Sequence, residues 1–171
     1  MNNDIALLKV KTPFNINGND YINRVCIPST SNYNTDHKQA EISGWGDTQS
    51  TIIFVPFLFS NRLFHLVDVT GNNLPAVLQR ADIGIWNENE CSIPWGFLYK
   101  HETMVCAWSA TTATCVGDSG GPIYVNDGGK MVQVGISSFC STSGCLHPTV
   151  PVVFSRVSNY IDWINHKIAT E

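Results

Sequence analysis

Charge is scarce in this chain. Only 14% of its 171 residues are charged and the formal net charge is -4, whereas an average soluble protein carries roughly 25% charged residues. No cluster of Lys and Arg forms the basic footprint of a nucleic-acid-binding surface, so nucleic acid is excluded as a partner. C-x-x-C pairs are also missing. The six cysteines, Cys26, Cys91, Cys106, Cys115, Cys140 and Cys145, are spaced unlike a zinc ribbon, and a disulfide framework in an oxidising compartment is the better reading. That implies a secreted protein. The opening residues Met1 to Leu8 nevertheless lack a basic n-region, carry an acid at Asp4 and have only a short apolar run, which is not a signal peptide. The natural start is therefore expected upstream. No apolar run is long and uninterrupted enough to span a bilayer. No internal repeat or low-complexity tract is present, and no two histidines sit at ligand spacing on one element, so neither metal nor cofactor is expected.

What is present describes one compact all-β unit. A hydrophobic content of 43% can bury a single core but leaves little room for a second full domain. Short apolar runs alternate with turn clusters at 15–20, 28–32 and 126–129, the spacing of a β-barrel. Gly121 to Val125 and Met131 to Ile136 flank the last cluster and read as a hairpin. One helix is legible, at the end, where Val157, Tyr160, Ile161, Ile164 and Ile168 recur at helical spacing with Ser155 or Ser158 available as a cap.

The chemical signal is Gly117-Asp118-Ser119-Gly120-Gly121-Pro122. A serine hydroxyl attacks well only when a base takes its proton and backbone N–H groups receive the developing oxyanion, and flanking glycines let the chain turn those groups inward. With Cys115 ahead of it, this hexapeptide resembles the nucleophile motif of the chymotrypsin-like serine peptidases. Further motifs follow in the family's order. Asn3-Asp4-Ile-Ala-Leu-Leu8 is similar to the triad-aspartate strand, Val25-Cys-Ile-Pro28 to the segment between barrels, and Gly44-Trp-Gly46 to the start of the second barrel; Phe154 to Val157 and the Tyr160 to Ile164 helix complete the series.

The resemblance implies a double antiparallel β-barrel with a carboxy-terminal helix. Residues 1–28 would be a remnant of the first barrel and its crossover, 44–157 the second barrel and 158–169 the helix. It implies a secreted endopeptidase acting on proteins or peptides through an acyl-enzyme. Ser119 would be the nucleophile and Asp4 the triad aspartate, the N–H groups of Gly117 and Ser119 would form the oxyanion hole, and Asp118 would pair with the amine released on zymogen cleavage. Ala113, Ser138, Cys140 and Val152 fall at substrate-binding positions. Ala113 at the pocket base disfavours Lys and Arg, because it offers no carboxylate to a buried cation, and Cys140 with Val152 would narrow the pocket towards small or medium apolar side chains. Family positions also pair Cys91 with Cys106 and Cys115 with Cys145, leave Cys140 an odd thiol beside the site, and give Cys26 to a propeptide or upstream chain.

Two departures stand out. The family's order is His, Asp, Ser, yet His37, His65, His101, His147 and His166 all follow Asp4 and none sits in the family's Ala-Ala-His-Cys setting. The base is expected upstream, and the chain as written is expected to lack efficient peptidase activity; a non-catalytic homologue that binds or regulates is the alternative. Second, Asp4 and Ser119 are 115 positions apart, about twenty more than the template separation of about 93. Removing roughly Thr51 to Asp68 restores ordinary spacing, so that apolar tract reads as an insertion foreign to the domain, such as translated intron sequence.

Overall fold

The computed structural model describes residues 2–18, 21–48, 52–54, 65–67 and 74–170. Six strands close an antiparallel barrel in the order β1, β4, β5, β8, β7, β6: β1 is Gln39–Gly44, β4 Gln79–Ile85, β5 Met104–Trp108, β6 Pro122–Asp127, β7 Lys130–Phe139 and β8 Val152–Arg156. The seam between first and last members is β1 on β6, with Ile42 opposite Ile123. Period-2 alternation explains which residues point inward. Ala40 and Ile42 of β1, Ile83 and Ile85 of β4, Ile123 and Val125 of β6, and Val132 and Val134 of β7 are buried in one cluster with Val105 and Phe154. Each of the Val, Ile and Phe side chains among them stabilises the fold by about 1.5–3 kcal/mol relative to exposure.

The barrel starts earlier than Gly44. Gly44 is the last residue of β1, and the strand is seeded upstream by the alternating Gln39-Ala-Glu-Ile42. The hairpin of β6 and β7 turns on Gly128 and Gly129, both with positive φ (59° and 84°), the conformation a two-residue hairpin turn demands. A further helix, α1 (Glu88–Trp95), carries a capping box in which Asn87 and Glu90 bond reciprocally. Its apolar residues form no stripe at helical spacing, so apolar periodicity does not reveal it.

At the carboxy end a 3₁₀ turn over Val157–Tyr160 leads into α2 (Ile161–Thr170). Val157, Tyr160, Ile161 and Ile164 pack together with Ile5 and Ile136. Two expectations fail here. Neither serine caps: Ser155 lies in β8 and donates to the Asp4 carbonyl, and the turn begins after Arg156 with no side-chain cap. Ile168 is exposed, and the packed face of α2 ends at Ile164.

No strand is assigned to residues 2–18 and 21–28; the segment touches the barrel through Asn2 to Ile5 and an isolated bridge from Cys26 to Val132. The Thr51 to Asp68 tract lies largely outside the described residues. Its described pieces, β2 (Ile52–Phe54) and β3 (His65–Val67), pair antiparallel with each other in a sheet separate from the barrel. Among the described residues no helix is long and apolar enough to cross a membrane.

Candidate active site

The site is assembled on the loop from Ala113 to Gly121 and on β7. Gly117 and Gly120 adopt φ of 98° and 81°, a region that side chains resist, and the resulting turn presents Ser119 to solvent. The turn is tied to β7 at Ser137: Gly120 N–H donates to its carbonyl (2.9 Å), and Ser137 N–H donates to Gly121 carbonyl (2.8 Å). The Ser137 hydroxyl reaches Thr114 Oγ1 at 3.2 Å. Among the described residues, the N–H groups of Gly117 and Ser119 donate to no protein acceptor, whereas those of Asp118, Gly120 and Gly121 all do.

The next residue of β7 holds the other acid. Ser138 donates its hydroxyl to Asp4 Oδ2 at 2.6 Å. Asp4 is positioned from several sides: its carbonyl accepts from Ser155 Oγ (2.7 Å), Tyr160 donates to Asn3 Oδ1 (2.8 Å), and Thr103 donates to Asn2 Oδ1 (2.7 Å). Burial, the largest cause, raises the Tyr160 pKa, and the Asp4 charge adds to it, so the phenol stays a donor. Neighbouring residues of one strand therefore fix the Ser119 turn and Asp4. Sequence reading names Asp4 and Ser119 as candidates but not Ser155 and Tyr160 as anchors, since hydroxyls 151 and 157 positions from their partners carry no local signature.

Asp118 is half-buried. Its carboxylate accepts from Gly46 N–H (2.8 Å) and Cys115 N–H (3.0 Å), and a Cβ at either Gly44 or Gly46 would collide with it. Gly44-Trp-Gly46 is thus a seat for Asp118, a role invisible when the tripeptide is read only as the mark of a barrel start. Ala113 lines a cavity of about 410 Å³ together with Gly44, Gly46 and Asp118. It shares a small recess with Val152 and His147. Val152 itself is only 2% exposed and belongs to the barrel core, while Ala113 and Cys140 pack against that core from outside.

Disulfides join Cys91 to Cys106 and Cys115 to Cys145, and Cys26 and Cys140 are free. The histidines are employed elsewhere. His37 lies beside Asn87 and Glu90, His101 faces Glu88 at 3.5 Å, and His147 Nδ1 accepts from the N–H groups of Thr149 and Val150. His166 is exposed on α2, and the side chain of His65 is outside the described residues.

An exposed serine on a glycine turn, set on a closed six-stranded antiparallel barrel with an outer helix, defines the chymotrypsin-like class. The Trypsin family model matches residues 1–56 and 67–164, and the chain belongs to that family. It is 38% identical over 170 residues to chymotrypsin-C of Mus musculus, covering 97% of this chain and 55% of that protein. Serine protease 1 of Drosophila melanogaster is 34% identical over 167 residues (96% and 52%), and chymotrypsin-like elastase family member 3B of Macaca mulatta 35% over 172 residues (98% and 58%). The chain spans about half the length of the curated relatives it matches.

Proposed function

We propose that the protein is a secreted serine endopeptidase, and that this chain supplies its nucleophile, its triad aspartate and its oxyanion donors. The observation that carries the reading is the Ser119 turn: an exposed hydroxyl beside two N–H groups, those of Gly117 and Ser119, that donate to no protein acceptor among the described residues. Such a pair is the donor set for a tetrahedral intermediate, and losing one such donor costs about 10²–10³ in kcat. Ser119 Oγ attacks the scissile carbonyl, a base takes its proton, and the same base returns it to the leaving amine; water then repeats the sequence on the acyl-enzyme. Asp4, oriented by Ser138, aligns that base and stabilises its charged form.

Asp118 serves as the carboxylate for a cleavage-generated amine. Ala113 at the base, backed by the buried Val152 in the recess they share, and Cys140 at the wall favour small or medium apolar side chains in protein substrates, and Cys26, exposed and free, joins a propeptide or upstream chain. The two disulfides fit an oxidising compartment. The tract from 51 to 68 is an insertion in the second barrel.

By itself this 171-residue chain turns substrate over poorly. The histidine contacts described above include neither Ser119 nor Asp4, and a triad stripped of its base keeps only the residual catalysis of binding and oxyanion stabilisation. The test is fluorophosphonate labelling and peptide turnover, for the chain and for a version with a first-barrel segment of the family placed upstream and activated by cleavage. Fast Ser119-dependent labelling only in the restored version supports the reading, with cleavage after apolar residues. Preferential cleavage after Arg overturns the specificity, rapid turnover by the short chain overturns the need for an upstream base, and no labelling of either version favours a non-catalytic homologue.

A further inference from the structure

We infer that Cys140 is a second nucleophile of this molecule, a thiol placed to exchange with the Cys115–Cys145 disulfide beside Ser119. Its Sγ lies 3.1 Å from Cys145 Sγ. Cys145 is bonded to Cys115 and Cys140 is free, so three sulfurs meet where one bond is shared. Exchange needs no outside reagent. The Cys140 thiol releases its proton to solvent, and the thiolate attacks Cys145 Sγ. The Cys145–Cys115 bond breaks with its electron pair on Cys115 Sγ, which takes up a proton. One disulfide and one thiol stand on each side, and nothing is oxidised or reduced overall.

The local chain suits the alternative bond. Cys140 and Cys145 flank a turn in which Gly144 N–H donates to the Ser141 carbonyl at 3.2 Å, and Gly144 holds φ of 123°. The new bridge would close a separation of 5 positions where the existing one closes 30; the folded chain holds the Cys115–Cys145 bond and leaves Cys140 free, which makes Cys140–Cys145 the minor isomer. Burial raises the Cys140 thiol pKa, which lowers the thiolate fraction and slows the exchange.

The exchange bears on the nucleophile turn. Cys115 N–H donates to Asp118 Oδ2 at 3.0 Å and its carbonyl accepts from Asp118 N–H at 2.9 Å. Moving the bridge to Cys140 unties from the 140–145 loop the segment that seats Asp118 and presents Ser119. The inference rests on three sulfurs and stands whether or not the protein proves to be a peptidase.

The test is thiol mapping on the full 171-residue chain carrying Cys26→Ser. The folded protein is exposed to a low concentration of N-ethylmaleimide at mildly alkaline pH, quenched in acid, digested with pepsin and sequenced by mass spectrometry without reduction. Label is expected first on Cys140 and then, in a growing minority of chains, on Cys115, accompanied by a Cys140–Cys145 cross-linked peptide. Adding Cys140→Ser should abolish labelling of Cys115. Label confined to Cys140 throughout, or Cys115 labelling that survives Cys140→Ser, overturns the inference. Separately, Cys115→Ser incubated with oxidised glutathione, which takes up the two electrons, should form the Cys140–Cys145 bond in the folded chain, and two alkylatable thiols there under the same oxidant would also overturn it. If that variant does not fold, the time course on the Cys26→Ser chain decides.

Discussion

A single missing methyl group decides two positions in this molecule. Gly135 lies inside the barrel on β7, where a Cβ would come within 2.7 Å of Ile123 Cγ2 and 2.9 Å of Phe154 Cβ. Both neighbours are fully buried and cannot swing away, so Gly135→Ala should destabilise the fold by about 1–3 kcal/mol, the usual cost of overpacking. A denaturant midpoint shift without a change in slope checks this. Gly46 is constrained by an anion instead. Gly46→Ala would push on the Asp118 carboxylate, and in a restored, activated enzyme it should lower kcat more than it lowers stability. Equal kcat with a lowered melting temperature would reduce Gly46 to a packing role.

Tyr33 gives a pH signature at the same scale. Its hydroxyl donates to Asp127 Oδ2 at 2.6 Å; burial, then this bond and the Asp127 charge, push its pKa up from 10.0 to about 12. The folded state therefore keeps a proton that the unfolded chain gives up. The stabilisation is intact below about pH 10 and is lost as pH rises through about 12. The stability difference between wild type and Tyr33→Phe should be constant near neutrality and shrink over that window, and a difference that does not change with pH contradicts the assignment.

At the scale of elements, legibility followed the range of the forces involved. The β6–β7 hairpin and α2 could be read because their signals are local: paired glycines at 128 and 129, and a repeat of apolar residues one turn apart. The Ser119 turn was legible for the same reason, being set by adjacent glycines. Helix α1 was not, because its capping box at Asn87 and Glu90 stabilises a helix with almost no apolar stripe. Gly44 reads as a beginning although it is the end of β1, since a family tripeptide marks a position without marking a strand boundary. The clip on Asn3 and Asp4 from Ser138, Ser155 and Tyr160 could not be read at all, because hydroxyl donors so far along the chain are brought together only by barrel closure. The tract from 51 to 68 belongs at this scale too. Its two described strands pair only with each other and add nothing to the barrel sheet, so deleting 51–68 should shift the melting temperature by no more than a few degrees, roughly the effect of 1 kcal/mol in a chain of this size. Loss of cooperative melting on deletion would make the tract structural.

The whole molecule is uneven in how well it covers its apolar surface. The barrel and α2 enclose three buried clusters, whereas the segment before them leaves Leu8 93%, Phe14 68% and Tyr21 97% exposed. Leu7, Val10, Ile22, Val25 and Ile27 are each also more than 40% exposed. Scattered apolar residues on a surface are ordinary, but a run of them along one extended segment is a surface for association. The 171-residue chain should therefore bind a hydrophobic dye in its folded state and sediment with a concentration-dependent weight. Combined Leu8→Ser, Phe14→Ser and Tyr21→Ser should weaken both behaviours while leaving the melting temperature nearly unchanged, because none of the three residues contributes to a buried cluster. A wild-type chain that is monomeric at every concentration and dark to the dye would mean that this segment covers its apolar residues in solution, and that the barrel is not the sole cooperative unit.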